Sequence, residues 1–332
     1  MKTINLEYSD IPLLLPPINY FLDKIKNNTT FHFIRINHGG LDKIGYGYID
    51  SPKDSIYEEM ASDDSKKEDL CKLFESHLKN KQYSEISHKI ISCFLGSKVL
   101  TRWHGDYLVD ENLKVKLDSY IQTWIKVLLE YKKLSTKFDI GISTGIGLHT
   151  AWGIHEETHP LQEIRQRIAK ILLNQSNNQY FYSGILKHYA IKKEIFELFE
   201  LLNKKDFNVI FFGPKDNRLY KDAFKINKFF HIEIPTTECL KSFEYYTDKI
   251  INIAKNGRKT IVLHSCGHIL SGQIAYKLKD TDIYGIDIGR SFDIIIKEYV
   301  YTEPTLDSYW IDFDYTELGL HVTRLRKNAK DL

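Results

Sequence analysis

Asn208-Val-Ile-Phe-Phe212, Phe229-Phe-His-Ile-Glu-Ile234, Thr260-Ile-Val-Leu-His264 and Asp282-Ile-Tyr-Gly-Ile286 are four apolar runs separated by segments of helical periodicity. The intervals are long enough for crossover helices, so the order is βαβαβαβ, which requires a mostly parallel sheet with right-handed connections. In such sheets ligands bind outside the carboxyl ends of the strands. A group of polar or glycine-bearing residues follows each run: Gly213-Pro-Lys-Asp-Asn-Arg218, Pro235-Thr-Thr237-Glu238, Ser265-Cys-Gly-His268 and Asp287-Ile-Gly-Arg290.

Working outward, the 332 residues hold one large α/β domain or two modest ones, and 42% hydrophobic content supplies an ample core. Lys+Arg 46 against Asp+Glu 44 leaves a charge of +2, too balanced for a nucleic-acid footprint or a membrane-surface patch. The 13% aromatic content serves core packing before it serves a sugar or base pocket. Cys71, Cys93, Cys239 and Cys266 have neither metal-ligand nor disulfide-framework spacing, which fits a reducing, cytoplasmic setting. The first ten residues carry charges where a signal peptide needs an apolar core, and Leu13-Leu-Leu15 is closed off by Pro16-Pro17. No uncharged apolar run approaches the roughly 18 residues of a membrane helix. Without secretion, Asn27-Asn-Thr29 and Asn28-Thr-Thr30 are a polar turn rather than glycosylation sites.

The N-terminal half reads as helix-rich. A strand at His32–Ile36 runs into Asn37-His-Gly-Gly40, and periodicity predicts helices near 66–78, 85–95, 113–134, 161–173 and 192–202, with short strands at 98–103 and 138–143. The division falls at 1–205, which carries the motif strand 31–40, and 206–332, the Rossmann-like half, packed as one compact unit. Beyond Tyr309, Trp310-Ile-Asp-Phe-Asp314 is expected as an added edge strand, and residues 324–330 as a solvated end.

The series Gly213…Asn217-Arg218…Phe224, Ile232…Ile234-Pro235, Cys239…Tyr246…Ile250, Lys259-Thr-Ile-Val-Leu263…Gly267…Ile274-Ala-Tyr-Lys-Leu278 and Gly285-Ile-Asp-Ile-Gly289 resembles the bacterial glycosyltransferases of the GT-D fold. The resemblance covers Asn208 to Asp293, with a weaker echo at Phe31 to Leu41. It implies a Rossmann-like parallel sheet flanked by helices, a nucleotide-sugar donor, a glycan or glycoprotein acceptor and, in the family, a divalent metal. The family's Arg-x-Gly-Asp-Gly-Glu stretch is here Arg35-Ile-Asn-His-Gly-Gly40, so His38 replaces the aspartate and Gly40 the glutamate. Mg²⁺ and Mn²⁺ want carboxylate oxygens. Three readings stay open: a metal-independent transferase, a metal site rebuilt from Asp42 or Asp287, or a silent nucleotide-binding relative.

Each candidate group also has an ordinary structural reading. Gly213 to Arg218 can offer backbone N–H groups and Arg218 to a diphosphate, or can be a tight turn with Asp216 capping the next helix. Ser265 and the amides near Gly267 suit a phosphate or sugar hydroxyl, with His264 or His268 as donors; a buried thiol at Cys266 is commoner than a nucleophile. Asp287 can bind ribose, hold a metal or act as the base for an acceptor hydroxyl, or it can cap a helix or pair with Arg290. The expected catalytic set is Asp287, His38 and Arg35. Gly213, Asn217, Arg218, Thr237, Ser265, Gly267 and Gly289 are expected at the donor.

One further motif points elsewhere. His155-Glu-Glu-Thr-His159 fits the H-E-x-x-H zinc pattern, which with His149 would make a metal hydrolase. Pro160 directly after His159 pushes that residue out of helical geometry, so no metal is expected there. Gly141…Gly145-Ile-Gly147 departs from a dinucleotide loop in order and spacing.

Overall fold

The computed structural model describes residues 2–6, 9–36, 44, 48, 63–96, 111–142, 160–175, 179–235, 239–289, 291–292, 295, 310–316 and 319–325. Nine strands form one sheet: β1 Lys2–Leu6, β2 Ser9–Leu15, β3 His32–Ile36, β4 Phe138–Ile142, β5 Phe181–Tyr182, β6 Asn208–Gly213, β7 Phe229–Glu233, β8 Thr260–His264 and β9 Tyr284–Asp287. Their order is β1-β2-β5-β4-β3-β9-β8-β6-β7. All neighbours pair in parallel except β1 with β2, so the fold is the expected α/β architecture, a mostly parallel sheet flanked by helices.

Position in the sheet explains why the runs read as they do. β3, β4, β6, β8 and β9 are buried throughout, and a parallel strand covered on both faces is apolar at consecutive positions rather than at alternate ones. β7 is the edge strand and is half-buried, which is why it tolerates His231 and exposes Glu233. Helices supply the crossovers: Tyr220–Ala223 lies between β6 and β7, Phe243–Ala254 between β7 and β8, and His268–Leu278 between β8 and β9. From β6 the chain leaves outward to β7, whereas from β8 it leaves the other way to β9. β6 and β8 therefore flank a topological switch point, where a crevice opens at their carboxyl ends.

Two expectations are corrected here. Trp310–Thr316 does not extend the main sheet; it pairs antiparallel with Gly319–Leu325 in a separate two-stranded sheet, and that second strand takes in Arg324, expected in a solvated end. The antiparallel edge is instead built by β1 and β2, which the amino-terminal sequence hides because Pro12 interrupts the run Ile11-Pro-Leu-Leu-Leu15. Proline has no N–H to give, yet β2 meets β5 only around Leu14, so the missing donor costs the ladder little. The expected strand at 98–103 lies outside the described residues.

At the amino end of β4, Asp139 is buried and its desolvation raises the carboxyl pKa, opposed by Lys24 and Tyr20. Lys24 Nζ donates to it at 2.5 Å, and the Tyr20 hydroxyl donates at 3.0 Å, which pins the helix Asn19–Lys26 to the sheet. Removing one partner of a buried ion pair leaves an uncompensated charge. Lys24→Ala should therefore cost about 3 kcal/mol in chemical denaturation, and the joint change Lys24→Met with Asp139→Leu should recover most of it. Equal losses in the single and joint variants would show that the charge pair is not what holds the helix.

Candidate functional site

β3 and β9 are neighbours in register His32↔Gly285 and Phe33↔Ile286, which brings Arg35 beside the end of β9. Arg35 Nε and Nη2 both donate to Asp287 Oδ1, at 3.4 and 3.3 Å, and Nη1 donates to Ser291 Oγ at 2.8 Å. Both charged groups are only 6% exposed. Burial raises the Asp287 carboxyl above the usual carboxylate range, and Arg35 and the Ser271 hydroxyl oppose it. Asp287 thus pairs with Arg35, 252 positions away, while Arg290 lies outside the described residues.

The turn after β9 is shaped around the guanidinium. Gly289 has φ +45°, and a Cβ built on it would lie 1.8 Å from Arg35 Nη2. The turn is held from β8: the His264 carbonyl accepts from Ile288 N at 2.9 Å and Gly289 N at 3.0 Å, and Ser265 Oγ donates to the Gly289 carbonyl at 2.7 Å. Ser265, expected to meet a ligand, therefore spends its hydroxyl on this turn.

The β6/β8 crevice lies next to it. Gly213 ends β6 under Asn217 and Ser265, with a Cβ position 2.2 Å from Asn217 Nδ2 and 2.8 Å from Ser265 Cβ, so only glycine fits. Asn217 is 5% exposed, and its Nδ2 has no hydrogen-bond partner. A buried amide without an acceptor costs free energy. Beyond Ser265 the helix His268–Leu278 starts at Gly267 (φ +81°), and among the described residues no side chain caps its first backbone donors at the positive end of the helix dipole. Gly213, Asn217, Ser265 and Gly267 are therefore brought together, with Gly289 joined through the Ser265 bond.

Arg218 points elsewhere. It pairs with Glu233, its Nε donates to His231 Nδ1 at 3.2 Å, and His231 Nε2 donates to the Pro214 carbonyl at 3.1 Å. β7 is three strand spacings, about 14 Å, from β9, so Arg218 stands apart from the Arg35–Asp287 pair. His38, Gly40, Asp42, Thr237, His149, His155 and His159 lie outside the described residues. Pro160 is the first residue of its helix, the position that suits proline. Among the described residues no group of three or more His, Cys, Asp and Glu side chains is placed to hold a metal ion, and Arg35 already supplies the positive charge opposite Asp287.

Sequence reading missed His32, Ser271, Ser291 and Glu233. Ser291 and Glu233 were legible in principle: one follows the glycine turn directly, the other is a charge in an otherwise apolar run. His32 and Ser271 gave no signal, because their places depend on which strands become neighbours.

No family model and no curated protein matches this chain. Two solved structures are similar to it in fold, each at 14% identity over 87% of this chain and 81% of theirs. One is a selenomethionine-substituted structure of domain of unknown function 1792, with a TM-score of 0.47. The other, with a TM-score of 0.46, is described as showing that this domain has a distinct glycosyltransferase fold. No helix among the described residues is long and apolar enough to cross a membrane.

Two glycines separate a backbone effect from a site effect. Gly257 has φ +79° and open space around its Cβ position, so Gly257→Ala should cost only the left-handed penalty of about 1 kcal/mol. Gly289→Ala meets the guanidinium as well and should cost clearly more, with a crystal structure showing Arg35 and Asp287 parted beyond 4 Å. Equal losses of melting temperature would remove Gly289 from the site.

Proposed function

We propose that this chain is a glycosyltransferase that takes a sugar from a nucleotide-sugar, a UDP-sugar first, and passes it to a glycan or glycoprotein acceptor. The observation that carries the reading is the buried Asn217 amide, without a partner among the described residues, at the carboxyl end of β6 next to the strand–helix junction of Ser265 and the uncapped helix His268–Leu278. Backbone N–H groups at a helix start and a side-chain amide donor together make a seat for phosphate oxygens. The motif resemblance supplies the rest, naming a nucleotide diphosphate as the anion and a sugar as the transferred group.

In this reading the diphosphate lies over Gly213 with Asn217 and the amides following Gly267 as donors. Arg218 contributes by exchanging Glu233 for a phosphate oxygen. The acceptor hydroxyl attacks the anomeric carbon, the bond from that carbon to the phosphate oxygen breaks, and the nucleoside diphosphate leaves with the electron pair. The acceptor's proton passes to a base, Asp287 or His38. Burial makes the Asp287 carboxylate a stronger base, and Arg35 opposes that rise by favouring the ionised form. Positive groups around the leaving diphosphate take the role a metal has elsewhere.

The closed Arg35–Asp287 pair also favours a second reading, a nucleotide-binding module without transfer activity, since a carboxylate neutralised by arginine need not turn over anything. The two differ in product formation, not in nucleotide binding.

Because Asn217 Nδ2 has no hydrogen-bond partner among the described residues, Asn217→Ala should change the ligand-free melting temperature little. UDP affinity by calorimetry should fall about tenfold or more, the worth of a hydrogen bond to a charged group. Lost stability with unchanged affinity would remove Asn217 from the site. Arg218→Ala should weaken the same ligand and leave the fold intact. A thermal-shift panel of nucleoside diphosphates and nucleotide-sugars reads saturation directly; absence of any stabilisation would overturn both readings. EDTA should leave UDP binding and turnover unaltered, whereas a strict Mn²⁺ requirement would place carboxylates outside the described residues at the site.

A further inference from the structure

Beneath the Arg35–Asp287 pair sit two imidazoles that the proposed reaction does not use. His32 on β3 and His264 on β8 flank Gly285 of β9 and are 0% and 1% exposed. They converge on one point: a Cβ at Gly285 would lie 2.5 Å from His32 Nδ1 and 3.2 Å from His264 Nε2. Among the described residues none of their four ring nitrogens has a well-formed hydrogen bond, although the Leu278 carbonyl comes near enough to His32 to favour its proton.

Among the described residues of the neighbouring strands, no acid is free to offset a proton there. β3, β6, β8 and the helix His268–Leu278 contain no Asp or Glu. The acid of β4, Asp139, is held by Lys24 and Tyr20, and that of β9, Asp287, by Arg35. In the helix Phe243–Ala254, Glu244 accepts from the Tyr120 hydroxyl and Asp248 is exposed. The charge that bears on His32 is positive, from Lys137, whose ammonium donates to the Thr281 carbonyl at 2.8 Å. Each ring also opposes the protonation of the other.

His264 is the last residue of β8, and its carbonyl holds both Ile288 and Gly289, the turn that seats Arg35. We infer that the His32–His264 pair is an acid-operated release: a proton on either imidazole forces His264 outward, frees the turn at Ile288 and Gly289, and opens the Arg35–Asp287 clasp. The direction follows from linkage. Burial lowers both imidazoles to about 3, with Lys137 adding for His32 and His32 adding for His264, while the Leu278 carbonyl opposes the shift at His32. The opened state binds protons near the ordinary imidazole value of about 6.5. Closure is thus fully favoured above about 6.5 and is lost as pH falls from there towards 3. Asp287 has the opposite sign. Its raised carboxyl pKa makes the closed state bind the proton more tightly, so loss of closure on acidification cannot come from it.

The test is hydrogen exchange on the full chain with no donor or acceptor present, so it stands apart from the transfer reaction. Protection of the Ile288 and Gly289 amides should fall below pH 6.5 by about tenfold per pH unit for each proton taken up. The Asn208 amide, bound to the Lys259 carbonyl at the other end of the sheet, should keep its protection through the same range. In His32→Asn the slope should halve. Should that variant not fold, ring ¹⁵N shifts of the unmodified protein decide: both imidazoles neutral at pH 6 and charging together with the loss of protection support the release. Protection at 288 and 289 that tracks Asn208, or either ring titrating alone near 6.5 with the turn intact, overturns it.

Discussion

The structure turns on the seam between β3 and β9. Two residue pairs and the bond from Gly285 N to the Phe31 carbonyl join a half-sheet drawn from residues 2–182 to one drawn from residues 208–287. Across the carboxyl end of that seam lies the Arg35–Asp287 ion pair. A buried pair of this kind is weak evidence for stability, since desolvation offsets much of the attraction. It is strong evidence for register, because a slip of one residue would leave both charges unpaired in a dry interior. Gly289 and Ser291 then follow from Arg35, the one by making room for the guanidinium and the other by accepting its remaining donor.

How much of this the sequence discloses depends on how local the cause is. β3 and β8 are read with their observed ends, because a strand buried on both faces states itself as an uninterrupted apolar run. β1 and β2 are not, since Pro12 carries the mark of a loop and is tolerated only because its neighbour pairs elsewhere. The short β5 is two residues long and has no pattern to show. Arg35 and Asp287 each stand out at the end of a strand, but their meeting is a property of strand order. Asn217 belongs to a motif, yet its unsatisfied amide is visible only once Gly213 and Ser265 close around it.

The two ends of the sheet do different work. At the amino end, polar side chains find partners: Asp139 takes Lys24 and Tyr20, and Asn208 Nδ2 donates to Thr260 and Asn256. At the carboxyl end, Asn217 and the helix beginning at Gly267 keep donors open, and Arg218 rests on an exposed glutamate. Satisfied groups fix the framework, while unsatisfied ones mark where binding can lower the free energy.

β9 is the last strand of the sheet to be made and fits between two others. Until it arrives, β3 and β8 each present an unpaired edge, flanked by apolar faces, at what will become the middle of the sheet. An interior strand has none of the charges, prolines or bulges with which true edges repel one another. From the completion of β8 at His264 until Tyr284–Asp287 is made, the chain therefore carries two sticky borders that only that segment covers. An interruption between His264 and Tyr284 leaves both borders open to pairing with other copies.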